Sequence, residues 1–206
     1  FQDIAFTVAQ AFFGEDVEAA ALRTIVNETL AFDCPVVHVQ ANRYALELFH
    51  GPTLAFKDVG ARFMARLLSH FVGQDHKQTI NVLVATSGDT GSAVANGFLG
   101  VEGVNVYVLY PKGKVSAIQE SQFTTLGQNI TAIEVDGVFD DCQALVKQAF
   151  MDKELNEQLL LTSANSINVA RFLPQAFYYF YAYAQMKRQG LHSELVFCVP
   201  SGNFGN

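Results

Sequence analysis

Lys57 lies in the run His50-Gly51-Pro52-Thr53-Leu54-Ala55-Phe56-Lys57-Asp58, between apolar residues and the start of a helical pattern. A cation at a helix N-terminus meets an unfavourable dipole, and that dipole and burial both ease loss of the ammonium proton. A neutral amine is what imine formation with an aldehyde requires. A lone lysine at a helix start can also be a solvated group whose stem covers apolar neighbours. The reactive reading therefore depends on the company Lys57 keeps.

Three other segments supply that company. Thr86-Ser87-Gly88-Asp89-Thr90-Gly91 joins an apolar run to a helical one. Small hydroxyls, glycines and a helix N-terminus suit a carboxylate or phosphate. Asp89 or Thr90 is expected to cap that helix, which holds with or without a ligand. Ser201-Gly202-Asn203-Phe204-Gly205-Asn206 follows another apolar run. Its glycines let backbone N–H groups turn toward an anion. It has no Gly-Lys-Ser/Thr ending and no GxGxxG, so it is not a nucleotide loop; an ordinary strand-to-helix turn would look the same. In Ser163-Ala164-Asn165-Ser166-Ile167-Asn168-Val169-Ala170-Arg171, the arginine offers a planar fork for phosphate oxygens and the asparagines lie near a helix start. A capped helix with a surface arginine is the plainer alternative.

The elements that must position these segments follow from periodicity. Helices are expected over Thr7–Leu30, Asp58–Phe71, Thr90–Leu99, Ser116–Leu126, Phe139–Phe150 and Val169–Gly190. Strands are expected over Ala45–Phe49, Thr79–Thr86, Val104–Tyr110, Ile130–Val135 and Leu195–Pro200. Apolar strands alternating with helices imply parallel βαβ units, an α/β fold with its sheet covered on both faces.

Half of the 206 residues are hydrophobic and 16% are charged, enough for a real core and against disorder. The net charge of −7 argues against a nucleic-acid partner and against attraction to an anionic membrane. Phe172–Met186 is aromatic but too short and too polar to span a bilayer. Cys34, Cys142 and Cys198 are odd in number and widely spaced, so neither a disulfide framework nor a metal site is expected and a reducing cytoplasm is. With no initiating Met, and with a glycine loop directly after the last apolar run, a piece of a longer chain is expected.

Together the four segments resemble, in the same order and at similar separations, the motifs of the threonine synthases. These are fold type II pyridoxal-phosphate (PLP) enzymes, like tryptophan synthase β and cysteine synthase. The resemblance spans nearly the whole chain and is weakest before Asp33. It implies the N-terminal half of that α/β fold, with residues 1–160 as the N-terminal region and smaller domain. Residues 161–206 would begin the larger PLP-binding domain. Lys57 would hold the cofactor as a Schiff base and shuttle protons, with Phe56 positioning it. Asp89 would lie near the cofactor's phenolic oxygen; many relatives carry Asn there, and an ionised Asp can only accept a hydrogen bond. Gly202, Asn203, Phe204, Gly205 and Asn206 would cradle the cofactor phosphate. Ser87, Gly88 and Thr90 would bind the substrate carboxylate. Asn165 and Arg171, with Ser166 and Asn168 as second choices, would bind the substrate phosphate.

The implied reaction turns O-phospho-L-homoserine and water into L-threonine and phosphate. A related PLP phospho-lyase releasing a 2-oxo acid, and a non-catalytic βαβ ligand-binding module, are the alternatives. The family contacts the pyridine nitrogen from a residue near its C-terminus, beyond Asn206, so the 206 residues alone are expected to be inactive.

Overall fold

The computed structural model describes residues 1–72, 79–165 and 168–200. Its centre is a four-stranded, all-parallel sheet of order β5-β4-β3-β6. These strands are β3 (Ile80–Ala85), β4 (Val104–Pro111), β5 (Ile130–Val135) and β6 (Leu160–Ser163). A small antiparallel hairpin, β1 (Val36–Gln40) with β2 (Arg43–Leu46), precedes it in the chain.

Val82, Val84, Val106 and Val108 are wholly buried in the sheet. Branched side chains fit a pleated surface covered on both faces, and each such burial contributes about 1.5–3 kcal/mol. One face packs under α3 (Lys57–Val72), α4 (Asp89–Phe98) and α5 (Ala117–Thr124). The other is covered by α6 (Phe139–Met151) through Cys142 and Val146. A six-residue helix, α7 (Lys153–Gln158), leads into β6.

Helix α3 joins two cores because two stripes of its residues are apolar. Ala61, Met64, Ala65 and Leu68 face the sheet cluster. Val59, Phe63 and Leu67, spaced four apart, face a helical cluster. That second cluster comes from α1 (Gln2–Phe13), α2 (Ala19–Thr29) and α9 (Ala176–Arg188). Two glycines permit the close crossings of α3. A Cβ on Gly97 would lie 3.0 Å from the Ala61 carbonyl carbon, and one on Gly60 only 2.3 Å from the Arg171 carbonyl oxygen.

Several expectations are corrected. The helix expected over Thr7–Leu30 is two helices, broken between Gly14 and Glu18, and the first starts at Gln2. The helix expected over Val169–Gly190 is three pieces: α8 (Val169–Phe172), a 3-10 turn Leu173–Gln175, and α9. Pro174 sits in that turn; it has no N–H to donate and its ring clashes with the preceding turn. The strand expected over Ala45–Phe49 is β2, shifted to Arg43–Leu46. Its partner β1 went unforeseen because the turn Ala41-Asn42 lacks the usual Asn-Gly signal. Leu195–Pro200 forms no strand. An apolar run signals burial, but a ladder needs a neighbour; here Val196 is 90% exposed and Phe197 packs edge-on against Tyr179, centroids 5.2 Å apart.

Candidate active site

β3, β4 and β5 are added outward in one direction, whereas β6 pairs with the opposite edge of β3. Open parallel sheets bind ligands beyond the carboxyl ends of strands, where this order reverses. The loop after β3 carries Ser87, Gly88, Asp89 and Thr90, and the segment after β6 carries Asn165, Asn168 and Arg171.

Lys57 begins α3, and the loop before it is held by the next residue. Asp58 is buried, and its carboxylate accepts from the Thr53 N–H at 2.9 Å and the Thr53 hydroxyl at 2.5 Å. The Asp58 N–H donates back to the Ala55 carbonyl at 3.0 Å. Gly51 packs flush against this carboxylate: a Cβ there would lie 2.4 Å from Oδ2. On the far side, the buried Tyr178 hydroxyl of α9 donates to the Phe56 carbonyl. The peptide before Lys57 is therefore fixed from both sides.

The Lys57 ammonium lies 3.9 Å from Asp89 Oδ2 and 5.5 Å from the centre of the Phe56 ring. Burial holds its pKa below the ordinary lysine value; the Asp89 charge opposes that, and the Arg171 charge adds to it. A lysine so placed gives up its proton more readily.

The loop after β3 is organised by Thr86, which is fully buried. Its Oγ1 accepts from the Gly88 N–H at 3.0 Å and the Gly91 N–H at 2.8 Å, and donates to the Gly88 carbonyl at 3.0 Å. Gly88, at φ 148°, is in a backbone region that a side chain rarely adopts. It is also the cap residue of α4, with no side-chain cap bond. This corrects the expectation that Asp89 or Thr90 caps the helix. Asp89 is its first residue, and its Oδ1 instead accepts from Gln119 Nε2 at 2.5 Å.

After β6, Asn168 caps α8: its Oδ1 accepts from the Ala170 N–H at 3.0 Å, and its Nδ2 donates to the Ser163 carbonyl at 3.2 Å. Arg171 is fully buried rather than on the surface; its Nη1 donates to the Ala164 carbonyl at 2.6 Å, while its Nε has no protein partner among the described residues. Burial lowers its pKa to about 10. Asn165 is half-buried, its N–H directed to Ser163 Oγ at 3.3 Å. Ser166 and the loop Gly202, Asn203, Phe204, Gly205 and Asn206 lie outside the described residues.

A cleft of about 490 Å³ opens beside these groups, a size suited to a cofactor or small ligand. Phe56, Asp89, Leu54, Tyr44, Tyr179 and Phe197 are among its lining residues. The structure thus gathers Lys57 and Phe56 with the Asp89 loop, and sets Arg171 close enough to influence Lys57 through its charge. The sequence reading missed Thr86, Gln119, Tyr178 and the Thr53–Asp58 clasp as positioning groups. Only the clasp left a local trace, a threonine five residues before an Asp at a helix start.

Residues 31–206 match the model of a family described as pyridoxal-phosphate dependent enzymes. Over 97% of its length the chain is 52% identical to threonine synthase of Serratia marcescens, and the match covers 46% of that protein. Among solved structures, PLP-bound threonine synthase from Brucella melitensis superposes with a TM-score of 0.89 at 40% identity, covering 99% of this chain and 45% of that one. Threonine synthase from Escherichia coli superposes with a TM-score of 0.81 at 51% identity, covering 88% and 42%. The chain spans about half the length of the relatives it matches.

Proposed function

This chain belongs to the pyridoxal-phosphate dependent enzymes, and from that premise we propose that it is the N-terminal half of a threonine synthase. The reaction would convert O-phospho-L-homoserine and water to L-threonine and phosphate. The observation that carries this reading is Lys57 itself: an amine with its pKa lowered by burial, 3.9 Å from the carboxylate of Asp89, which with Phe56 lines an apolar cleft. The identity to threonine synthases extends over the chain that builds this arrangement.

These residues fit the cofactor. Lys57 would hold it through the amine, Phe56 would flank it, Asp89 would face its phenolic oxygen, and the loop of Gly202 to Asn206 would take its phosphate. When bound, the cofactor supplies an electron sink for charge developing on the substrate carbons next to the amine. Lys57 Nζ would remove the proton from the substrate's Cα and later return one there. Ser87, Gly88 and Thr90 would hold the substrate carboxylate at the start of α4, where Gly88 supplies no side-chain cap. Asn165 and Arg171 would face the departing phosphate, where charge builds; the Nε of Arg171, without a partner among the described residues, supports this role. Ser166 and Asn168 would assist, Asn168 chiefly by capping α8 beneath that segment. The apolar walls contributed by Leu54, Tyr179 and Phe197 would exclude water until it is needed at Cβ.

The division near residue 160 belongs to the same proposal, with the smaller domain before it and the start of the larger domain after it. So does residence in the cytoplasm, supported by Cys34, Cys142 and Cys198 all being free thiols. Among the described residues no helix is long and apolar enough to cross a membrane.

The test uses the full-length protein loaded with PLP. Borohydride reduction should fix the cofactor on Lys57, read by peptide mass. O-phosphohomoserine should yield threonine and phosphate in equal amounts, and Lys57→Ala should abolish both results. Label on another lysine would falsify the assignment, and 2-oxobutyrate in place of threonine would make the protein a phospho-lyase.

A further inference from the structure

We propose that Gln119 is a positioning residue of this site, whose carboxamide fixes the Asp89 carboxylate in the orientation that presents Oδ2 to Lys57. The inference rests on the reading of Lys57 and Asp89 above and adds a residue from α5 that reaches the site through Asp89.

Asp89 is 47% exposed at the first position of α4. A carboxylate there has an alternative resting place on the amides of its own first turn, toward the positive end of the helix. Gly88 brings no side-chain cap; Thr86 Oγ1 takes the Gly91 N–H and the Gly88 carbonyl takes the Ser92 N–H, which among the described residues leaves the amides of Asp89 and Thr90 for that carboxylate. Gln119 removes the freedom. Its Nε2 donates to Asp89 Oδ1 at 2.5 Å, and the other carboxylate oxygen lies 3.9 Å from Lys57 Nζ.

Gln119 is itself held at three points. Its Oε1 accepts from the Ser116 hydroxyl at 2.8 Å, and its N–H donates to Ser116 Oγ at 3.4 Å. Its carbonyl accepts from the buried Ser92 hydroxyl of α4 at 3.2 Å. The carboxamide also lies flat against the loop: a Cβ on Gly88 would meet its Oε1 at 2.6 Å and its Nε2 at 2.7 Å. Turned over, the amide would set its oxygen against the Asp89 carboxylate and its NH2 would lose that acceptor. Both ends of the amide are used, one on a hydroxyl and one on a carboxylate. Glu at 119 would set a like charge on Asp89, and Leu would fill the space without a donor.

The test is a double-mutant cycle in the full-length, PLP-loaded protein, comparing parent, Q119L, D89N and the double variant. Q119L should lower kcat on the order of 10- to 100-fold, as expected when a catalytic contact is misplaced by an ångström or so. Its thermal midpoint should stay within a few degrees of the parent. In the D89N background the same substitution should change kcat less than about threefold, because the group it positions is already altered. A second readout needs no turnover. The pH midpoint of the bound cofactor's absorbance should move in Q119L and stay fixed when Q119L is added to D89N. Losses that multiply in the two backgrounds, or a parent-like kcat and midpoint in Q119L, overturn the proposal. If borohydride labels Lys57 but the losses multiply, Gln119 is structural and the reading of Lys57 stands. If Lys57 is unlabelled in the parent, the reading fails and this inference fails with it.

Discussion

The Tyr178 hydroxyl donates to the Phe56 carbonyl across 122 positions of sequence, tying α9 to the peptide that precedes Lys57. Tyr178 is 2% exposed, and burial raises its pKa well above the ordinary tyrosine value, so it stays a donor across the working pH range. Tyr178→Phe keeps the ring in its core and removes only the donor. The expected cost is about 1 kcal/mol of stability, read by urea unfolding of the full-length protein. Amide exchange in residues 50–56 should accelerate while β3 and β4 amides keep their rates. Uniform acceleration would mean that the bond supports the whole fold and not this loop.

Two glycines with opposite surroundings make a paired test. At Gly60 a methyl group would press on the Arg171 carbonyl oxygen at 2.3 Å, and that oxygen is backbone that also accepts from Gln175 Nε2. Gly60→Ala must force α3 and α8 apart, costing about 1–3 kcal/mol as an overpacked contact. Gly113, at φ +63°, has nothing within 4 Å of its Cβ position. There the cost is the backbone conformation alone, about 1 kcal/mol. Thermal unfolding of both variants should rank them in that order. Only Gly60→Ala should also alter the cleft, seen as weaker PLP retention.

Strand β4 was legible because a buried β-strand reads as a continuous apolar run; expected over Val104–Tyr110, it spans Val104–Pro111. The segments around Lys57 and Asp89 stand out by composition, and the structure brings the two side chains to 3.9 Å. What was not legible depends on partners distant in sequence. β6 is short, and its Leu160-Leu161-Thr162-Ser163 is a strand only because Ile80 to Leu83 lie beside it. Gln119 sits on a helix of ordinary composition, and its importance comes from Asp89, 30 residues away. In the sequence Arg171 read as a fork for phosphate oxygens or, more plainly, as a surface arginine beside a capped helix. Its burial follows from Gly60, which lets α3 come up against the Arg171 backbone.

The clasp between Thr53 and Asp58 should prove unforgiving. The Asp58 carboxylate accepts two bonds from one threonine in a buried site. Asn at this position offers one acceptor oxygen and brings an NH2 toward an N–H or a hydroxyl. Asp58→Asn should lose about 1–3 kcal/mol through the unsatisfied group. Thr53→Val, which deletes one donor and keeps the shape, should lose less. Urea midpoints of the two full-length variants check the order; an Asp58→Asn protein as stable as the parent would show that the clasp does not hold the loop.

The pH response of Lys57 follows from the sign of its shift. Burial and the Arg171 charge lower its pKa from 10.5, and the Asp89 charge opposes them. A base with a lowered folded pKa binds fewer protons folded than unfolded, so stability rises with pH between the folded value and 10.5. In the apoprotein, the rate at which Lys57 captures PLP should therefore level off at a midpoint below 10.5. Asp89→Asn removes the charge that favours the ammonium form, so the midpoint should move to lower pH and capture near neutrality should quicken, even as turnover falls. Stopped-flow absorbance across a pH series measures it directly. An upward move in Asp89→Asn would show that the carboxylate does not act on the Lys57 ammonium through its charge.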